Sequence, residues 1–308
     1  MSDFSNSDAI AEIVHEKSIE ILIDVGFCVP DDNVLAGLYN AGFPVERETQ
    51  MVFVTRELLE TALKTLPRQV QLYDREGHAL AFRHLSCFMG AGTPVNVFDL
   101  KSGKHRSATR QDVRQLVTIQ DALPQVDIVR PTVTATDQGE CSDLVEIAEL
   151  LRNTAKPIVH RTLSPNRVDA AAEMIFCAAG GEQAFRAKPN FATLYCPISP
   201  GYFTPENIHC MLKWAEYGVP ITLLSMAMGG ASAPVTLLGE LIVINSDILA
   251  WIVVLQILYP GTPLLYGSVS AVLDMRTGLL PLGAPDRGMI NSGAAIMGNF
   301  YGIPSMCG

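Results

Sequence analysis

No Cys-x-x-Cys pair occurs in this chain, and its seven cysteines (Cys28, Cys87, Cys141, Cys177, Cys196, Cys210 and Cys307) are scattered and odd in number. That spacing argues against a disulfide framework, and a reduced, cytoplasmic protein is expected. Basic residues are scarce: 22 Lys and Arg stand against 32 Asp and Glu, for a formal charge of −10. A nucleic-acid surface needs a Lys/Arg stripe, whereas Arg106, Arg110 and Arg114 read as the solvated face of one helix, so no nucleic-acid partner is expected. No basic segment with an apolar core behind it opens the chain, which argues against secretion. The most apolar run, 248–259, reaches about half of the roughly 20 residues a membrane span needs. It reads as a buried helix, and no membrane partner is expected.

Familiar catalytic signatures are missing too. Met89-Gly90-Ala91-Gly92-Thr93-Pro94 lacks the third glycine of a dinucleotide fingerprint, and Pro94 offers no amide to a phosphate. There is no phosphate loop and no nucleophile elbow. His15-Glu16 lacks a second histidine, and His209-Cys210 are helix neighbours that face different ways, so no metal is expected. A zinc site assembled from distant residues stays open as an alternative.

What is present is a long apolar chain (48% hydrophobic) with alternating texture. Residues 1–85 read as an α+β cap: helices over 8–25, 31–41 and 56–65, and short strands at 51–54, 70–73 and 79–82. From residue 86 onward, strands and helices alternate, the sign of a parallel sheet. Strands are expected at 87–90, 128–132, 157–160, 191–196, 221–225, 263–267 and 303–305. Helices are expected at 110–122, 142–153, 165–179, 205–217, 234–259 and 285–301. The fold class is therefore α/β: an incomplete (β/α)8 TIM barrel with about seven of eight strands, residues 86–308, behind the cap.

In such a barrel the chemistry sits at the C-terminal ends of the strands. That rule selects Tyr195, Ser225, Met226, Gly229, Gly230, Tyr266 and Gly267 as substrate-binding residues, with His160, Asp137, Asp274 and Cys307 as further candidates. His160 is equally readable as a satisfied core histidine, and Tyr195 and Tyr266 as packing aromatics. Asp137, with Glu140 and Asp143, fits the start of a helix, where acids favour the dipole. Cys307 has no base beside it. The Gly229–Ala233 loop lets backbone approach a ligand closely, and the helix expected from Pro234 offers amides to an anion. A tight turn packed under a neighbouring loop explains the same residues.

Several segments, in this order and spacing, resemble the trimethylamine methyltransferase (MttB-like) family. They are Val25–Asp31, Asn153–Pro157, Cys196-Pro197-Ile198-Ser199-Pro200, Leu224–Leu237, Pro260–Pro263, Tyr266-Gly267, Asp274 and Asn299–Ser305. The resemblance implies a (β/α)8 barrel that takes a methyl group from a tertiary or quaternary amine. It also implies a corrinoid protein as partner, whose Co(I) accepts the methyl group, with no cofactor bound tightly by the barrel itself. One branch of the family carries pyrrolysine just after the segment matched by Gly302–Ser305; another lacks it and includes glycine betaine demethylases. The catalytic group is accordingly expected beyond Gly308, with the chain cut short there, and a homo-oligomer is expected. Tyr195 and Tyr266, with Tyr202 and Phe203 farther out, are the aromatic faces offered to a cation, and the Gly229–Ala233 loop is offered to a betaine carboxylate. A barrel enzyme of other chemistry, or a non-catalytic fragment, are the competing readings.

Overall fold

The computed structural model describes residues 7–80 and 86–308, and its packing divides into two compact units. The first comprises residues 1–70, 195–216 and 221–308; the second comprises 71–194 and 217–220. The expected boundary at residue 85 lies outside the described residues.

In the first unit, strand Leu264–Ser268 lies between Ile221–Ser225 and Ser305–Cys307, parallel to both, with Ile221 opposite Leu264 and Tyr266 opposite Ser305. Ile221–Ser225 and Leu264–Ser268 are buried at every position, which is why they read as unbroken apolar runs. Parallel neighbours need a crossover, and helix Leu237–Leu258 supplies the first. Helix Pro285–Tyr301 supplies the second. Proline costs nothing at that helix start, and Gly302 closes the far end at φ +71°.

The 22-residue crossover helix Leu237–Leu258 is apolar all round, as a core helix should be. By length and composition it could span a membrane, yet 78% of its apolar window is buried inside the protein. The apolar run at 248–259 is only its second half. Trp251 is fully buried on it, with ring centroids 4.5 Å from Phe203 and 6.0 Å from Phe27.

A buried polar chain ties the first helix, Ser7–Asp24, to this core. Tyr266 Oη donates to Asn245 Oδ1 (3.0 Å), and Asn245 Nδ2 donates to Ser18 Oγ (2.9 Å) and Tyr301 Oη (3.0 Å). His15 Nδ1 lies 2.9 Å from the same Tyr301 hydroxyl. Every member has a partner, as buried polar groups require. An antiparallel sheet, with Met51–Val52 between Phe27–Cys28 and Val45–Glu46, completes the N-terminal part.

In the second unit, Ile158–Val159 pairs in parallel with Phe191–Tyr195, placing Ile158 opposite Phe191. The strands expected at 87–90 and 128–132 shrink to single bridges, Met89 with Ile128 and Val129 with Ile158. Pro131 has no amide for a ladder, and Thr132 sits at φ +68°, so pairing ends there. The strand expected at 79–82 is seen as Ala79–Leu80, paired with Leu72–Tyr73; residues 81 and 82 lie outside the described residues.

The arginines expected to be merely solvated are bound. Arg106 grips Asp112 with two nitrogens (2.7 and 2.8 Å), beside the capping box that opens helix Arg110–Ala122. Arg110 and Arg114 converge on the buried Glu149 of helix Ser142–Asn153, at 2.7 and 2.9 Å. Hydrogen bonding from Arg114, then Arg110, outweighs burial and pulls the Glu149 carboxyl down to about 2. Its stabilisation is therefore complete above the unfolded value near 4.5 and is lost as pH falls toward 2. Both arginines are partly exposed and screened, so Glu149→Ala should cost about 2 kcal/mol at neutral pH, read from the urea midpoint. An unchanged midpoint would show the cluster to be ornamental.

Candidate functional site

The strand ends of the first unit gather two buried acids that were not foreseen. Glu240 and Asp247 are the only ionisable residues in helix Leu237–Leu258, and seven residues apart they share one face of it. Asp247 Oδ2 accepts from Ser199 Oγ (2.5 Å) and Ser225 Oγ (3.4 Å), and its Oδ1 accepts from the Gly201 amide (2.7 Å). Ser225 ends its strand, so the acid locks a strand end to the Ser199–Gly201 turn, whose Gly201 carbonyl accepts from the Cys28 amide. Burial pushes Asp247 up to about 6, against those three hydrogen bonds.

Glu240 lies under the glycine loop. Residues 228–233 fold back on themselves: the Gly230 amide donates to the Ala233 carbonyl (2.8 Å), and the Ala231 and Ala233 amides both donate to Met228 (3.0 Å). Gly230 sits at φ +82°, which favours glycine. Met228–Gly229 pairs in parallel with Ala271–Val272. A methyl group on Gly229 would lie 2.5 Å from Glu240 Oε2 and 3.1 Å from Val272 Cγ2, so glycine there admits the carboxyl. Burial pushes Glu240 up to about 7; the Gly229 amide pulls the other way and the Asp286 charge adds to the rise.

Two expectations for this loop change. The helix starts at Leu237, not Pro234, because the closed turn runs through Ala233 and Thr236 is the cap, its Oγ1 accepting from the Gly239 amide at 3.3 Å. A carboxylate arriving at Gly229–Ala233 would meet one of the protein's own. Sequence reasoning missed Glu240 and Asp247, although an acid inside an apolar run was the available signal.

The other candidates in this unit are dispersed. Met226 is half-exposed at 48%, at the open end of its strand. Tyr195 and Tyr266 are fully buried, Tyr195 Oη accepting from Trp214 Nε1 (3.1 Å) and Tyr266 bonded to Asn245, so both hydroxyls serve the helix layer. Phe203 is likewise buried, against Trp251. Gly267 points the other way: a methyl group there would meet Leu224 at 2.7 Å and Thr222 at 2.9 Å. Asp274 closes a surface turn through the Arg276 amide (2.9 Å) and Thr277 hydroxyl (2.7 Å), which hold its carboxyl below the usual range. Cys307 pairs opposite Ser268, and packing around its sulphur pushes the thiol up to about 11 although the residue as a whole is exposed. It stays protonated at neutral pH.

In the second unit, His160 ends its strand with Nε2 2.8 Å from Glu146 Oε2, both residues buried. Glu146 Oε1 also accepts from the Ala135 amide (2.8 Å). Asp137 is exposed and accepts from the Arg110 amide (2.8 Å), a helix-capping position. Asp143 is buried against Arg167 and the Leu163 amide. Among the described residues, no three His, Cys, Asp or Glu side chains gather as metal ligands.

Residues 2–308 match the family described as Trimethylamine methyltransferase (MTTB). The chain belongs to that family. It is 29% identical to the trimethylamine methyltransferase MttB of Desulfitobacterium hafniense over 99% of its length, and 31% identical to the Methanosarcina barkeri MttB over 95%. A glycine betaine methyltransferase of Desulfitobacterium hafniense is 28% identical over 96%. The chain spans only about three fifths of these relatives, 62%, 61% and 62% of their lengths. Among solved structures, the Methanosarcina barkeri monomethylamine methyltransferase (MtmB) superposes with a TM-score of 0.59 at 12% identity, over 99% of this chain and 67% of that one. The shared fold is α/β with parallel strands.

Proposed function

We propose that this chain supplies most of a (β/α)8 barrel that demethylates a tertiary or quaternary amine, passing the methyl group to the Co(I) of a separate corrinoid protein. The family match over residues 2–308 is the observation that carries this reading. In that transfer the cobalt lone pair forms the new bond to the methyl carbon, and the C–N electron pair stays on nitrogen. A quaternary ammonium leaves as a neutral amine with no proton needed; trimethylamine must first be protonated or held. The chain's own task is to orient one N–CH3 bond along an open line, and fixing that geometry is a large part of the barrier.

Ser225, Met226 and the Gly229–Gly230 loop are the strand-end residues for that task, since they crowd one end of the parallel ladder. Tyr195 and Tyr266 act behind them as buried supports. The test is methyl transfer from trimethylamine and from glycine betaine to a reduced corrinoid protein, followed by the cobalt absorbance change. The expected result is transfer from at least one of them. Absence of transfer from every tertiary and quaternary amine tried would overturn the reading.

A further inference from the structure

Of the two acids of helix Leu237–Leu258, Glu240 alone lacks a firm partner. Neither of its carboxyl oxygens makes a well-aligned hydrogen bond among the described residues, although the residue has no exposed surface. Asp247, on the same face of the helix, has three donors. A buried carboxyl without aligned donors is tolerable when protonated and costly when charged, because ionisation there forfeits hydration.

The turn above it is closed but lightly held. Gly229 is buried against the carboxyl, and a methyl group on Gly230 would touch Met275 Sδ (3.7 Å) and Val235 Cγ2 (3.9 Å), so those two side chains cap the turn. Met275 and Val235 are themselves 74% and 63% exposed. The pairing that anchors the turn is short: Met228–Gly229 with Ala271–Val272, extended by the Leu273 amide on the Gly229 carbonyl (2.9 Å). Helix Leu237–Leu258 is fixed in the core along most of its length. The segment with few buried contacts is therefore the one that yields.

The surrounding charges do nothing to hold an ionised Glu240 in place. From helix Pro285–Tyr301, Asp286 sets a like charge against it, while Arg287 donates Nη1 to the Leu282 carbonyl (2.8 Å). In the loop after Ala271–Val272, Asp274 is closed on its own turn and Arg276 is exposed. From helix Ser7–Asp24, His15 is turned to Tyr301; the other charged residues of that helix and of helix Arg56–Thr65 are exposed. Strands Ile221–Ser225 and Leu264–Ser268 carry no charge, and Tyr266 is bonded to Asn245.

We infer that Glu240 gates the Met228–Ala233 turn by its ionisation: protonated, it lets the turn close over it, and charged, it drives the turn off the Ala271–Val272 strand so that water reaches the carboxylate. The gate is independent of the proposed methyl transfer. Under the closed turn the carboxyl titrates at about 7, and in the lifted turn it returns toward the ordinary 4.5. Below 4.5 it is protonated in both forms and the turn stays shut. Between 4.5 and 7 opening grows by up to about tenfold per pH unit, and above 7 it levels off.

The test is amide hydrogen exchange of the full chain between pH 5 and 7.5, corrected for the intrinsic pH dependence of exchange and read by NMR. The Leu273 amide is the reporter, and the Ile221–Ser225 amides mark the limit of global opening. In wild type Leu273 should exchange faster than that strand at every pH, and its opening should rise at least about tenfold across the range. Glu240→Gln should leave Leu273 opening flat with pH, and Glu240→Met carries the same prediction if the amide variant fails to fold. A flat wild-type profile, an equal rise in the variant, or Leu273 exchanging no faster than the reference strand would each overturn the inference.

Discussion

Trp251→Ala is expected to lower stability by about 4 kcal/mol. The indole is fully buried, wedged between Phe203 and Phe27, which lie far apart in the sequence. Removing it leaves a cavity that two rings cannot fill without leaving their rotamers, so transfer and cavity terms add. A loss of that size approaches the whole stability of many domains. Urea unfolding followed by far-UV circular dichroism gives the value, with Trp251→Phe as a milder companion. A cost under about 1 kcal/mol for the alanine variant would mean the three-ring contact contributes little.

The second large effect is a pH dependence centred on Asp247. Its folded value of about 6 lies above the ordinary 3.8, because burial outweighs the donors Ser199, Gly201 and Ser225. Below 3.8 the carboxyl is protonated in both states and imposes no penalty. Between 3.8 and 6 the unfolded chain ionises while the folded one resists, so stability falls as pH rises; above 6 it levels off. A shift of that size corresponds to about 3 kcal/mol. Asp247→Asn keeps an acceptor for the Gly201 amide and can donate to Ser199, so it should remove this fall. The measurement is the wild-type minus variant difference in unfolding free energy from pH 3.5 to 7.5, in which other titrating groups cancel. A flat difference would show that Asp247 ionises as freely in the folded chain as in the unfolded one.

Much of the fold was legible because its elements are locally overdetermined. Helix Arg56–Thr65 carries its Thr55 cap, and helix Arg110–Ala122 its Thr109–Asp112 box. The strand at Ile221–Ser225 is a bounded β-branched and leucine run, buried throughout. Where expectation slipped, a local rule met a tertiary one. Pro234 looked like a helix start, but the Met228–Ala233 turn had already consumed its neighbours and Thr236 capped instead. The strands at 87–90 and 128–132 were expected from their apolar pattern, and Pro131 with the left-handed Thr132 left single bridges in their place.

The candidate site was only half legible. Strand-end position selected Ser225, Met226 and Gly229, since it follows from chain order alone. Which way a side chain faces does not follow. Tyr195 and Tyr266 hold up the helix layer, and Glu240 and Asp247 reach the strand ends from a helix. Periodicity and caps are properties of neighbouring residues, so the amino-acid order by itself determined the helices, the parallel strands and the family. Partners such as Trp251 with Phe27, Ser18 with Asn245, and Gly229 with Glu240 lie far apart or across a turn. Only packing could choose among the acids, tyrosines and glycines that compete for those places, because burial and pairing energies arise when distant segments meet.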